Sequence, residues 1–163
     1  MTRFCVLLIA IFLNAAALEA QTAVQLNDTL AGITNTLYGK GRDWGSKFNN
    51  AYKTKNYSSL AKASNGMLTY INTEINFVQK LKDIGNSKPL RMAMLDYLNF
   101  ERKMVLEGFN PFSSFNAKTP AAMIQKAIAN LTDKSKDENV LTDKIREAEK
   151  AYAAENGFKL PGE

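Results

Sequence analysis

Apolar residues recur along the chain at the three- and four-residue spacings of a helix, and nowhere with the two-residue alternation of a half-buried strand. Four stretches carry such a stripe. Leu26, Leu30, Ile33, Leu37, Trp44, Phe48 and Tyr52 line a helix predicted over about 23–53. Leu60, Met67, Ile71, Ile75, Val78 and Leu81 line a second, over about 57–84, with Asn56 as its N-cap and Gly85-Asn86 as its stop. Pro89 suits the first turn of a third, over about 89–108, whose stripe is Leu90, Met94, Tyr97, Leu98 and Val105. The fourth, about 119–155, opens on Thr119 as cap and Pro120. It carries Ile124, Ala127, Ile128, Leu131, Ile145 and Tyr152 and closes at Asn156-Gly157. Its middle, Asp133 to Asn139, is nearly all polar and marks a break or bend.

The connections are short, apart from Phe109 to Lys118. Short connections make successive helices antiparallel neighbours, so the expected fold is all-α, an antiparallel up-down four-helix bundle over 21–163. Residues 1–20 follow another rule. A basic start at Arg3, an apolar run from Phe4 to Leu13, and small residues Ala15, Ala16, Ala17 and Ala20 have the layout of a cleaved signal peptide. The run is shorter than the roughly 20 residues a membrane-spanning helix needs. Cleavage is expected after Ala20, or else after Ala17. The product is then extracytoplasmic, periplasmic or at the cell surface, and no membrane span is expected after cleavage.

Gly39, Gly41 and Gly45 interrupt the first stripe. No G-x-x-x-x-G-K-[ST], no G-x-G-x-x-G and no preceding strand accompanies them, which excludes a phosphate-cradling loop. They read as a kink or a close helix–helix contact.

Composition narrows the chemistry. The 163 residues are 45% hydrophobic and 23% charged, as in one globular domain. The net charge is +5, and loss of the leader with Arg3 and Glu19 leaves it unchanged. Basic residues are interleaved with acids along every helix, so a solvated surface is expected and no nucleic-acid partner. The chain has no histidine. That closes imidazole proton shuttles, Ser-His-Asp and Cys-His nucleophiles, His-ligated haem and His-containing zinc sites. The single cysteine, Cys5, leaves with the leader, so no disulfide is available and stability must come from packing. Met67, Met92, Met94, Met104 and Met123 sit at core spacing and read as core filling rather than a copper site. No cofactor is expected and no metal ligand is assigned.

Two constellations remain. Glu74, Glu101, Glu138 and Glu149 fall on apolar stripes. Counting helical levels from a turn centred near residues 86 and 87 puts Glu101 within one turn of Glu74, with Lys40 in the same layer and Glu138 near Arg91. Burial and mutual repulsion both raise carboxyl pKa values. Three outcomes stay open: ion pairs with Lys40 or Arg91, protonated carboxyls bonded to Tyr38, Tyr70 or Tyr97, or an all-oxygen calcium or magnesium site. The preferred reading is a satisfied structural layer. The second constellation is the aromatic loop of Phe109, Phe112 and Phe115, which either caps the open end of the core or marks a partner-binding patch.

Asn27-Asp28 at the start of the first helix, Pro111-Phe112 after the third, and the closing Ala151-Tyr152-Ala153-Ala154-Glu155-Asn156-Gly157-Phe158 carry a resemblance. On these residues the chain resembles uncharacterised secreted helical proteins of bacteria, of the leptospiral-type surface protein family. The resemblance implies an extracytoplasmic helical bundle and transfers no catalytic residue. No nucleophile–base pair and no acid–base dyad beyond Glu74 and Glu101 stands out. The expected function is therefore non-enzymatic: binding or structural association with an unknown protein or cell-surface partner. The alternative is a small ligand or divalent metal held by core carboxylates.

Overall fold

The computed structural model describes residues 22–162, and the predicted signal peptide lies outside them. The described residues form four α-helices, α1 (Ala23–Thr54), α2 (Ser58–Lys80), α3 (Lys88–Met104) and α4 (Ala121–Asn156). A π-helical turn (Val105–Phe109) and a 3-10 turn (Asn110–Ser114) continue α3, and no strand occurs among the described residues.

Each α1 terminus has a local cause. Thr22 and Gln25 close a capping box, the Gln25 amide donating to Thr22 Oγ1 at 3.1 Å and the Thr22 amide to Gln25 Oε1 at 2.8 Å. Lys55 ends α1 in the left-handed region at φ 59°. Between them the helix runs unbroken through Gly39, Gly41 and Gly45, and a Cβ at any of these would meet nothing within 4 Å. The close helix–helix contact expected there is absent, because that arc of α1 faces open space.

α2 is shorter than its stripe predicts. It stops at Lys80, and Leu81 is extended at ψ 134°. The exit is held by side chains: Ser87 Oγ accepts from the Ile84 amide at 3.2 Å, and the Arg91 guanidinium donates to the Leu81 carbonyl. Gly85 and Asn86 then turn the chain with positive φ. Glycine suits the first, where φ is +55° and a Cβ would displace the Asn156 side chain, lying 1.9 Å from its Oδ1. Asn56 does not cap α2 at the predicted place. Tyr57 is the cap residue, and Asn56 Oδ1 accepts from the Ser58 amide just inside the helix.

α4 starts at Ala121 with Pro120 before it, while Thr119 Oγ1 accepts from the Asn116 amide in the preceding turn. It ends as predicted at Gly157, which is left-handed at φ 70°. The expected break at Asp133 to Asn139 does not occur. Those residues include good helix formers, and the Lys136–Asp133 pair spans one turn at 2.7 Å on the exposed face.

α1 packs on α2, α2 on α3, and α3 on α4, and α1 meets α4 over a smaller contact. One buried cluster threads all four helices, from Leu26 and Leu30 through Ile71, Leu90 and Leu98 to Ile145 and Tyr152. Few polar links enter it. Trp44 Nε1 donates to Ser64 Oγ at 3.0 Å, joining α1 to α2. Tyr152 Oη donates to the Ile84 carbonyl at 2.8 Å, and Asn156 Nδ2 to the Gly85 carbonyl at 2.9 Å, so the end of α4 is fastened to the corner before α3.

The open surroundings of Gly39 give a first prediction. Gly39→Ala should raise stability by about 1 kcal/mol through helix propensity. That is a rise of about 2–4 °C in melting temperature, read by circular dichroism. A drop would mean that the arc facing Gly39 is occupied.

Candidate functional site

Pro111 shapes the site. In an α-helix its nitrogen would donate to the Glu107 carbonyl, but proline has no amide hydrogen. The helix widens instead, the Asn110 amide reaching back to the Val105 carbonyl, and Asn130 Nδ2 of α4 donates to the freed Glu107 carbonyl at 3.3 Å. Gly108 lets α4 approach, since a Cβ there would stand 3.0 Å from Leu131 Cδ1.

The widened turn swings Phe109 onto Trp44, with ring centroids 4.2 Å apart and planes nearly parallel. Phe112 follows into the core, fully buried and edge-on to both Trp44 and Phe48. Phe115 meets the edges of Tyr57 and Phe112. The stretch predicted as an exposed aromatic loop is thus largely helical, and its rings pack inward. Phe112 has no exposed surface and Phe109 and Phe115 are half-buried, as rings that cap the core would be.

Beneath Phe109 lies a cavity of about 230 Å³. α1 supplies Leu37, Tyr38, Gly41 and Arg42; α2 supplies Met67; α3 supplies Tyr97, Glu101 and Met104; α4 supplies Leu131, Ser135 and Glu138. Glu101 is buried at 6% exposure, and its Oε1 has no hydrogen-bond partner. Burial, and then the half-buried Glu138 across the cavity, push the Glu101 carboxyl up to about 8. Burial also raises Glu138. Tyr97 is raised by burial first and then by the two glutamates. Two acids and a tyrosine raised by burial therefore share the depth of this cavity, with the exposed Tyr38 and Arg42 at its mouth.

The structure regroups the predicted polar layer. Glu101 and Glu138 come together, whereas Glu74, Lys40 and Arg91 lie outside this cavity. Glu74 is half-buried near Tyr70, whose ring lies 5.2 Å from Lys40 Nζ. Arg91 is spent on the Leu81 carbonyl. Of the three outcomes left open, ion pairs of Lys40 or Arg91 with these acids do not form among the described residues, where every salt bridge is at the surface. Glu149 is half-buried and raised by burial, away from the cavity. Ser135, Gly41 and Arg42 were not singled out as site residues. Ser135 stands three residues before Glu138, so helical spacing alone sets both on one face.

Two other hollows are larger, about 520 and 460 Å³, and neither is lined by a buried acid. One carries Lys40, Lys47 and Lys62 beside Asp43 and the first turn of α2. The other is a mostly apolar recess between Pro111, Phe115 and Met123. No group of three or more acids among the described residues is arranged to hold a metal ion.

The described residues thus make an all-α, four-helix protein with an acid-lined cavity that opens to solvent beside Tyr38 and Arg42. No protein family, curated protein or solved structure matches the chain.

Two predictions come from this geometry. Phe112→Ala should cost about 3–5 kcal/mol in urea unfolding, as for a fully buried ring. A loss below about 1 kcal/mol would mean that the ring is not core. The second concerns pH. Above its ordinary value of 4.5 the Glu101 carboxyl is deprotonated in the unfolded chain but still protonated in the folded one up to about 8. Rising pH therefore favours unfolding across that window, by about 1.4 kcal/mol per pH unit from this group. Glu101→Gln should remove this part of the slope between pH 5 and 8 and melt above the parent at pH 8.5. Equal slopes would show a hydrated, ordinary carboxyl.

Proposed function

We propose that this chain is an exported, non-enzymatic binding protein whose four helices run up and down around a small-molecule cavity. The observation that carries this reading is Glu101: a carboxyl at 6% exposure, with an unpartnered Oε1, on the wall of a solvent-open cavity between the helices. A stability-optimised core would put leucine there. A costly, unsatisfied polar group beside a cavity is the signature of a site awaiting a partner.

Other observations support the finer points. Along α3 and α4, residue numbers rise on one helix as they fall on the other, from Glu107–Lys134 at 2.6 Å through Asp96–Lys144 at 2.5 Å to Asn86–Glu155 at 3.1 Å. Trp44–Ser64 and Ile33–Tyr70 behave alike between α1 and α2. These pairings favour the antiparallel arrangement. No helix of the described residues is long and apolar enough to cross a membrane. The leader layout of residues 1–20 supports export, and a surface role is the one the leptospiral-type resemblance implies.

The test uses Gly41, whose Cβ would meet open space on the cavity wall. Phenethylamine, 2-phenylethanol and 3-phenylpropanoate are titrated while the methionine methyl resonances are followed. At least one should shift Met67 and Met104 in the parent. In Gly41→Leu, which fills the space without loss of melting temperature, none should. Silence from all three in the parent would overturn the small-molecule reading.

A further inference from the structure

We propose that the cavity takes a small organic amine as its ammonium ion, the charge set between Glu101 and Glu138 and the apolar body against Phe109, Met104 and Leu131. This rests on the small-molecule reading above and gives it a ligand class. An acidic pair alone would not carry the claim. Here the Glu101 side chain is a second sign, because it is more than nine-tenths buried, lies on the cavity lining and leaves its Oε1 with no hydrogen-bond partner in the protein.

The lining decides between ligand chemistries. An anion would be repelled by Glu138 and would make ionisation of Glu101 harder still, whereas a cation is favoured by both. A calcium ion asks for six to eight oxygens. Only two carboxylates and a few hydroxyls line this wall, and the rest is apolar or aromatic. An ammonium ion needs fewer oxygens, is attracted to both acids, and gains from aromatic faces such as that of Tyr97. An alkyl or aryl body suits the leucine, methionine and phenylalanine walls. At about 230 Å³ the space fits a small molecule.

Every charged or titratable group on the lining has a place in this account. Glu138 comes from α4, Tyr97 from α3, and Tyr38 and Arg42 from α1, while α2 contributes only Met67. Arg42 is the one cation among them. It is exposed, so water and salt screen it from the deeper acids. At neutral pH burial keeps a proton on Glu101, and the ammonium ion takes that proton's place. Binding therefore releases a proton, and apparent affinity climbs with pH until the carboxyl is ionised unaided.

Isothermal titration of the purified chain with the same three probes, in buffers of different ionisation enthalpy, tests this. Phenethylamine should bind at least tenfold more tightly than 2-phenylethanol, and 3-phenylpropanoate should not bind. Amine affinity should rise about tenfold per pH unit between pH 6 and 7.5, with up to one proton released. Glu101→Gln should weaken the amine at least tenfold and abolish the pH dependence. Glu138→Gln, at a half-buried position, should weaken it less and guards against a folding artefact. Equal binding of 2-phenylethanol, a flat pH profile, or full binding by Glu101→Gln would overturn the ammonium assignment and leave the cavity reading standing. Stabilisation by calcium or manganese with none by the amine would replace it with a metal site. Failure of all three probes to reach the methionine resonances would instead remove the cavity reading itself.

Discussion

Pro111 has no amide hydrogen to give, and the centre of this protein is arranged around that lack. The carbonyl of Glu107 loses its helical donor and is taken up by Asn130 of α4. The backbone widens into a π turn just before the proline. Widening rotates the following residues relative to an ideal helix, and this rotation carries Phe109 against Trp44 and Phe112 into the core. Had α3 continued regularly, these rings would have pointed elsewhere. The cavity would then lack the aromatic wall that separates it from the rest of the core.

Much of the architecture could be read from apolar spacing. The four stripes correspond to four helices, and Leu26, Leu30, Ile71, Leu98 and Ile145 are buried where the stripes put them. The misreadings have physical causes. The spacing carries α2 on to residue 84 because Leu81 keeps the stripe and Gly85-Asn86 reads as the stop, yet Leu81 and Ile84 pack on the core from non-helical backbone. The polar middle of α4 was read as a weak point. Polarity withholds tertiary support from a helix but does not stop its backbone from hydrogen bonding. The Phe109–Phe115 stretch reads as a loop in sequence, because a widened turn around glycine and proline has no helical periodicity.

The same errors explain the site. Glu101 was legible as an acid amid Tyr97, Leu98 and Val105, and it is indeed buried. Its partner was not. Level counting assumed helix up to the corner, where each residue rises about 1.5 Å; an extended residue advances about 3.3 Å. The extended exit of α2 therefore breaks the count that paired Glu74 with Glu101. The π and 3-10 turns upset it again for α4, so that Glu138, reckoned near Arg91, stands across from Glu101 instead. A carboxyl identified from one helix gives its depth in the core. Which acid faces it depends on every irregular residue in between.

Trp44 is the only tryptophan in the chain, and its indole lies face to face with Phe109, whose ring also walls the cavity. The protein thus carries its own fluorophore one ring away from the acids. Any guest that presses on Phe109, or any change in charge behind it, alters the electric field and the packing felt by that indole. Emission colour and lifetime then become an intrinsic optical gauge of what the interior holds, with no label attached.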